Sequence, residues 1–330
     1  MIRSHRRTRL VSVLLVTVVL AAIAAACSAQ VSVGASGGGS PASAAAESPV
    51  TAASAGAEEG GVPAARGAAS GDMARILSAL GYMRAVEPDR PVVVLLGGSA
   101  ARESTITDAS WRDQIKRKGG PATLPWNMGS RNRTMAQNTA IVQKLPPGAS
   151  VLVYIGVNLG SFTSAQKSAT VKLPTPLPTA RPSLKQPHSY SYRKILSKAK
   201  KKALVKAWLK DRYPVFKRNF ATSAKELEQL ITTCQRRGYY PVLFELPRNT
   251  AVIGSALNAP TKKYRDKCRA LSKKYKIPWV SFVSAAKLPN SSFYDLWHLV
   301  EPGRKVWQGL LSSRTAKILN SDAFQDDGGS

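Results

Sequence analysis

Ser99, Asp295 and His298 are the side chains of this 330-residue chain whose types and surroundings suit acyl chemistry. Ser99 closes the run Pro91-Val92-Val93-Val94-Leu95-Leu96-Gly97-Gly98-Ser99. A serine hydroxyl is a poor nucleophile until a base takes its proton. Histidine is the natural base near neutral pH. Of the three histidines, His5 lies in an arginine-rich start and His188 in a proline-rich stretch. His298 sits in the compact segment Tyr294-Asp295-Leu296-Trp297-His298-Leu299, with a carboxylate three residues before it. Asp295 is the natural group to hold the imidazole tautomer and stabilise its cation. Each residue also has an ordinary structural reading: Ser99 as a helix N-cap, Asp295 as a cap, His298 as a hydrogen-bonded core side chain. There is no Cys-x-x-Cys and no carboxylate cluster beside the histidines, so no metal site is expected. No Gly-x-x-x-x-Gly-Lys phosphate loop occurs, and no cofactor is expected.

The elements that must position these groups alternate. Short apolar runs bounded by glycine read as buried parallel strands at Val92–Leu96 and Val151–Ile155, with further strands at Ala122–Trp126, Pro241–Glu245 and Pro278–Val283. Helical spacing covers Met73–Val86, Asp108–Lys118, Thr134–Lys144, Arg193–Arg212, Phe216–Arg237, Pro260–Lys276 and Gly303–Leu319. Strands alternating with helices predict an α/β fold, a three-layer doubly wound parallel sheet. Such sheets gather their chemistry at the carboxyl ends of the strands, where Ser99 falls. In Arg193–Arg212 the apolar stripe is Ile195, Leu196, Ala199, Ala203, Leu204, Ala207 and Trp208; Lys194, Lys198, Lys201, Lys202, Lys206 and Lys210 form the polar face. That face reads as solvated, or as a docking surface for an anionic polymer or membrane.

The N-terminus reads as a targeting signal. Arg3, Arg6, Arg7 and Arg9 precede an apolar stretch from Leu10 to Ala26, which ends in Ala24-Ala25-Ala26-Cys27. Residues 1–27 are therefore a signal segment, and the chain is expected to be exported, lipid-anchored at Cys27 on the extracellular face of the membrane or secreted. Residues 28–70 are rich in Ala, Gly and Ser and read as a disordered linker. Residues 71–320 form the folded domain, interrupted by a Pro-rich insertion at 159–192, and 321–330 read as a disordered tail. With Cys27 lipidated, Cys234 and Cys268 remain either as a disulfide or as two separate buried thiols. The formal charge of +29 suits an anionic partner. Export directs that preference to envelope polymers or acidic lipid and away from nucleic acid.

Collected in order, the strand ends resemble the SGNH hydrolases, the GDSL esterase and lipase superfamily, over residues from about 91 to 315. The carriers are Gly97-Gly98-Ser99 for the family's Gly-Asp-Ser, Gly156-Val157-Asn158 for Gly-x-Asn, and Asp295 with His298 for Asp-x-x-His. The resemblance implies a flavodoxin-like fold and a Ser99-His298-Asp295 triad. It also implies an oxyanion hole built from the N–H of Ser99, the side chain of Asn158 and a backbone N–H from the second block. Aligning Asn127 and Thr134 with that block puts Asn132 at the family's glycine, while Gly129 is the only glycine nearby. Arg131 and Arg248, with Arg133, are candidates to grip an anionic substrate or are solvated surface groups. The expected activity is hydrolysis of ester-linked acyl groups, O-acetyl groups on a cell-envelope glycan among them. The alternatives are an O-acyltransferase using the same triad and a catalytically silent, basic envelope-binding lipoprotein, kept open by Gly98 standing where the family has aspartate.

Overall fold

The computed structural model describes residues 71–165, 168–182, 190 and 193–327. The signal segment with Cys27, the linker and His188 lie outside them. The elements run α1 (Gly71–Val86), β1 (Val92–Leu96), α2 (Ser99–Arg102), α3 (Asp108–Arg117), β2 (Leu124–Asn127), α4 (Met135–Val142) and β3 (Val151–Val157). They continue with α5 (Lys198–Ala207), α6 (Tyr213–Arg236), β4 (Tyr240–Glu245), α7 (Thr250–Ile253) and α8 (Asn258–Tyr275). The last are β5 (Trp279–Ser281), α9 (Val283–Ala286), α10 (Glu301–Leu319) and α11 (Asp322–Asp327).

The five strands form one parallel sheet in the order β2-β1-β3-β4-β5. This is the doubly wound arrangement, whose direction of winding reverses between β1 and β3. Every residue of β1 is buried because both faces of the sheet are covered. Val92, Val94 and Leu96 face one apolar cluster, built with Ile76 and Leu80 of α1, Ile141 of α4, Leu227 and Ile231 of α6 and Leu271 of α8. Val93 and Leu95 face the other, with Trp111 and Ile115 of α3 and Trp307 and Leu311 of α10. The period-two alternation of a strand thus feeds two cores from one five-residue run.

Local chemistry fixes the boundaries. Thr107 Oγ1 accepts from Ser110 N–H and starts α3, and Thr134 with Gln137 forms a capping box on α4. Strand β2 is shifted toward its C-terminus and includes Asn127, with Pro125 tolerated because the strand lies at the sheet edge. Strand β3 runs through Gly156 to Val157 instead of stopping at the glycine. A Cβ on Gly156 would stand 2.6 Å from Leu96 O, so glycine here lets β1 and β3 meet at their ends. Strand β5 is shorter than expected, since the chain turns into α9 at Val283.

Three expectations are corrected. The helix expected over Arg193–Arg212 starts only at Lys198, because Ser197 Oγ accepts Lys200 N–H and caps it there. Its inward face is Lys201, Val205 and Trp208, whereas Ala199, Ala203 and Ala207 are exposed. Cys234 on α6 and Cys268 on α8 are free buried thiols of one apolar cluster, not a disulfide, and burial pushes both thiols up. The tail is helical as α11 over Asp322–Asp327, held by Phe324, which is 2 % exposed and packs edge-on to Tyr240. Within the insertion, Pro174 and Pro178 lie against Gly81 of α1, where a Cβ would come within 2.6 Å of Pro178.

The tight glycine at 156 predicts the opposite outcome to a control in α10. Gly156→Ala is expected to lower unfolding stability by roughly 1–3 kcal/mol through overpacking. Gly309→Ala, whose Cβ would meet only Gln114 Nε2 at 3.5 Å, is expected to raise it by roughly 0.5–1 kcal/mol. Denaturant unfolding of the two variants checks both signs.

Candidate functional site

The turn after β1 is the first component. Gly97 has φ +147, a backbone region open to glycine, and a Cβ there would come within 2.8 Å of Ala101 Cβ. The turn delivers Ser99 to the first position of α2, at the carboxyl edge of the sheet. Asn127, 0 % exposed, ties this turn down: Nδ2 donates to Ala101 O at 2.8 Å and to Thr105 Oγ1 at 2.8 Å. Behind it runs a buried ionic chain. Arg102 donates to Asp72 Oδ2 at 2.7 Å and to Glu103 Oε1 at 3.0 Å, and Arg304 donates to Glu103 Oε2 at 2.8 Å. Alongside, Arg75 pairs with Asp108 at 3.0 Å and donates to Asn127 O, and Asp108 accepts Asn127 N–H. Buried charges persist only when paired and hydrogen-bonded, and here they fasten α1, α2 and α10 around the serine.

The second component is the loop between Asn290 and His298. Asp295 Oδ1 accepts the N–H groups of Trp297 and His298, both at 2.9 Å, so the carboxylate caps its own turn. Its other oxygen, Oδ2, lies 2.7 Å from His298 Nδ1. His298 Nε2 lies 2.8 Å from Ser99 Oγ. The three side chains therefore form an unbroken hydrogen-bonded line. Burial pushes the Asp295 carboxyl up, but the facing imidazole and the two N–H donors outweigh it and hold the carboxyl below its usual range. An ionised Asp295 fixes the proton on Nδ1 and leaves Nε2 to accept from Ser99, the polarity that general-base activation needs.

The candidates for oxyanion donors separate. Asn158 is the N-cap of a short 3-10 turn, Leu159–Phe162, and its Oδ1 accepts Ser161 N–H at 3.1 Å. With Oδ1 so held, Nδ2 makes no hydrogen bond among the described residues and is available as a donor. Its strand β3 lies beside β1, so Asn158 and Ser99 flank the switch point together. Gly129 is corrected: its N–H already donates to Asn127 Oδ1 at 2.9 Å, and its missing side chain makes room for the backbone of Arg102, 2.4 Å from a notional Cβ. Asn132 is exposed with φ +53, the left-handed region that asparagine tolerates, which explains a glycine-like position without glycine. Its N–H is unbonded among the described residues. Gly98 has open space around a notional Cβ, so packing does not forbid an aspartate there.

Of the arginines, Arg131 is exposed. Arg133 is turned inward onto Ser130 Oγ at 2.7 Å, and burial lowers it to about 10. Arg248 donates to Thr261 Oγ1 at 3.3 Å and, with Asn258, Lys262, Arg265 and Arg269, lines a cavity of about 370 Å³. Among the described residues there is no group of three or more metal-ligating side chains and no helix long and apolar enough to cross a membrane.

Three supporting residues escaped the sequence reading. Lys201, assigned there to the polar face, is 0 % exposed, and its Nζ donates to Asn290 O at 3.0 Å, Asn290 Oδ1 at 2.9 Å and Phe293 O at 2.7 Å. Burial lowers this ammonium, and the charge of Asp295 works against that fall. Asn249 Nδ2 donates to Asn290 Oδ1 at 3.0 Å and Asp295 O at 3.1 Å, and its N–H to Leu296 O at 2.9 Å. Tyr190 stacks on the His298 ring, centroids 4.0 Å apart and planes 16° from parallel. The phase of Lys201 with Val205 and Trp208, four and seven residues on, was the available signal for its burial.

Solved structures with a similar fold include a lipolytic protein of the G-D-S-L family from Desulfitobacterium hafniense. It is 14 % identical, the match covers 68 % of this chain and 98 % of that one, and the TM-score is 0.36. The SGNH-hydrolase family esterase AlinE4 is also 14 % identical, with 71 % and 99 % covered and a TM-score of 0.35. A protein from Lactobacillus plantarum is 12 % identical, with 68 % and 94 % covered and a TM-score of 0.39. No family model and no curated protein matches the chain. At these identities and TM-scores the likeness carries no functional weight; the side-chain geometry of this chain does.

Lys201→Met is expected to leave Asn290 O and Phe293 O unpaired and to let the Asp295 loop drift. Turnover of a small ester should fall on the order of tenfold to a hundredfold in kcat with KM unchanged. Steady-state kinetics on the folded variant checks the split.

Proposed function

We propose that the chain is an exported serine hydrolase that cleaves ester-linked acyl groups, O-acetyl groups of a cell-envelope glycan in particular. The observation that carries the activity is the continuous line Asp295–His298–Ser99, with spacings of 2.7 and 2.8 Å. Ser99 Oγ attacks the ester carbonyl while His298 Nε2 takes its proton. The negative oxygen that develops is met by the N–H of Ser99, the N–H of Asn132 and Nδ2 of Asn158. The C–O bond to the sugar then breaks, and His298 returns the proton to the leaving alkoxide. Water, deprotonated by His298, attacks the acyl-serine; carboxylic acid leaves and Ser99 regains its proton. Asp295 remains ionised throughout and stabilises the imidazolium.

Export and anchoring are supported by the basic-then-apolar start ending at Cys27 and by the Ala/Gly/Ser-rich stretch that follows. An envelope glycan is supported by that location together with the charge of +29.

The test is reaction of the protein with a fluorophosphonate probe, followed by turnover of 4-nitrophenyl acetate. Wild type is expected to label and to turn over, and Ser99→Ala and His298→Ala to lose both. Asp295→Asn should keep its fold and lose on the order of a thousandfold or more in turnover. A folded wild type that neither labels nor turns over would sink the proposal and leave a binding protein. Product release that speeds up only when a glycan acceptor is added would redirect it to acyl transfer.

A further inference from the structure

Of the lysines of α5 (Lys198, Lys200, Lys201, Lys202 and Lys206), Lys201 alone is buried. Lys201 points inward to the loop that carries Asp295, as described above. Lys198, Lys202, Lys206 and Lys210 follow at four-residue spacing, along one flank of α5 and the π-helical turn Trp208–Arg212 that continues it, and all four are exposed. None of the four forms an ion pair among the described residues. Like charges four apart on a helix repel, and between residues 197 and 212 Asp211, next to Lys210, is the single acid. Among the described residues, no side-chain hydrogen bond or ion pair uses this row. A negative partner would turn the repulsion into attraction.

The position of the row gives it a direction. Leu196 N–H donates to Tyr294 O at 3.1 Å, and Lys201 Nζ holds Asn290 and Phe293, so α5 is fastened to the catalytic loop at both its start and its buried face. At its leading end, exposed Arg193 lies over the ring of Tyr190, 5.4 Å from the guanidinium carbon to the centroid. Tyr190 in turn stacks on His298 at 4.0 Å. Positive charge therefore extends from Arg193, linked to the His298 imidazole through Tyr190, along the ten residues of α5, about 15 Å.

We infer that the Lys198–Lys202–Lys206–Lys210 row, with Arg193, is a docking strip for an acidic polysaccharide that carries the ester groups cleaved at Ser99. This rests on the serine-hydrolase reading and narrows its substrate class to acylated polyanions. A linear polymer suits a linear row better than a small ligand does, because repeated carboxylates or phosphates meet repeated lysines. Charge of this kind raises the encounter rate with a polyanion and weakens with added salt.

The experiment compares the full chain with its Lys198→Gln/Lys202→Gln/Lys206→Gln variant on three esters: O-acetylated polygalacturonate, uncharged O-acetylated glucomannan and 4-nitrophenyl acetate. At low ionic strength the variant should lose about tenfold in kcat/KM on the polygalacturonate, the wild-type advantage should vanish with added salt, and the other two esters should be unaffected. Binding of unacetylated polygalacturonate, measured in parallel, should weaken in the same variant. Wild-type binding and turnover of the polyanion by the triple variant would overturn the strip. Lysines needed for binding phosphatidylglycerol vesicles but not for the polymer would overturn it in favour of a membrane surface. A wild type that cleaves no ester yet binds polygalacturonate through these lysines would keep the strip and overturn the hydrolase reading.

Discussion

A 2.8 Å hydrogen bond between Ser99 and His298 has to be maintained across 199 residues of chain. Closing so long a loop is entropically unfavourable, though the penalty grows only slowly with length. The harder requirement is angular: each partner must arrive with its polar atom aimed within a few tenths of an ångström. The protein meets this by immobilising the two partners separately. On one side Gly97 turns the chain, Asn127 clamps the turn from β2, and paired buried charges lock α2 to α1 and α10. On the other, Asp295 caps its own turn, while Lys201 and Asn249 hold the loop by its carbonyls.

The parallel sheet, its winding and the location of the serine, histidine and aspartate were legible because each depends on short-range patterns. Apolar runs ended by glycine, helical spacing, and a carboxylate three residues before a histidine are all local. The supports were not legible, because they are long-range. Lys201 meets Asn290 across 89 residues, and Arg102 meets Asp72 across 30. Nothing in a run of lysines marks the one that turns inward, apart from its phase with Val205 and Trp208. Gly129 shows the converse error. As the only glycine near the second block it stood beside Asn132 as a candidate for the donor that the resemblance implies, but glycine is there to let the Arg102 backbone approach, and its N–H is already committed to Asn127.

Helix α5 joins two physical environments through one residue type. Its inward lysine is dehydrated and saturated with three acceptors, which is the condition under which a buried ammonium is tolerated. Its outward lysines keep their water. The Pro-rich stretch before it is likewise more than a connection: Pro174 and Pro178 lie on α1, and Tyr190 lies on the His298 imidazole. Described residues of the insertion therefore contribute both to the packing on α1 and to the surroundings of His298.

The ionic chain Asp72–Arg102–Glu103–Arg304 carries an implication for how such a sequence can change. Removing Arg102 takes the ion-pair partner from buried Asp72, and removing Glu103 takes it from buried Arg304, each a loss of about 3–5 kcal/mol. That is a large share of the roughly 5–15 kcal/mol by which a domain is stable. Replacing all four with apolar side chains of similar volume carries no such penalty. Positions 72, 102, 103 and 304 should therefore be inherited as a block among relatives, conserved together or exchanged together, even though 232 residues separate the first from the last.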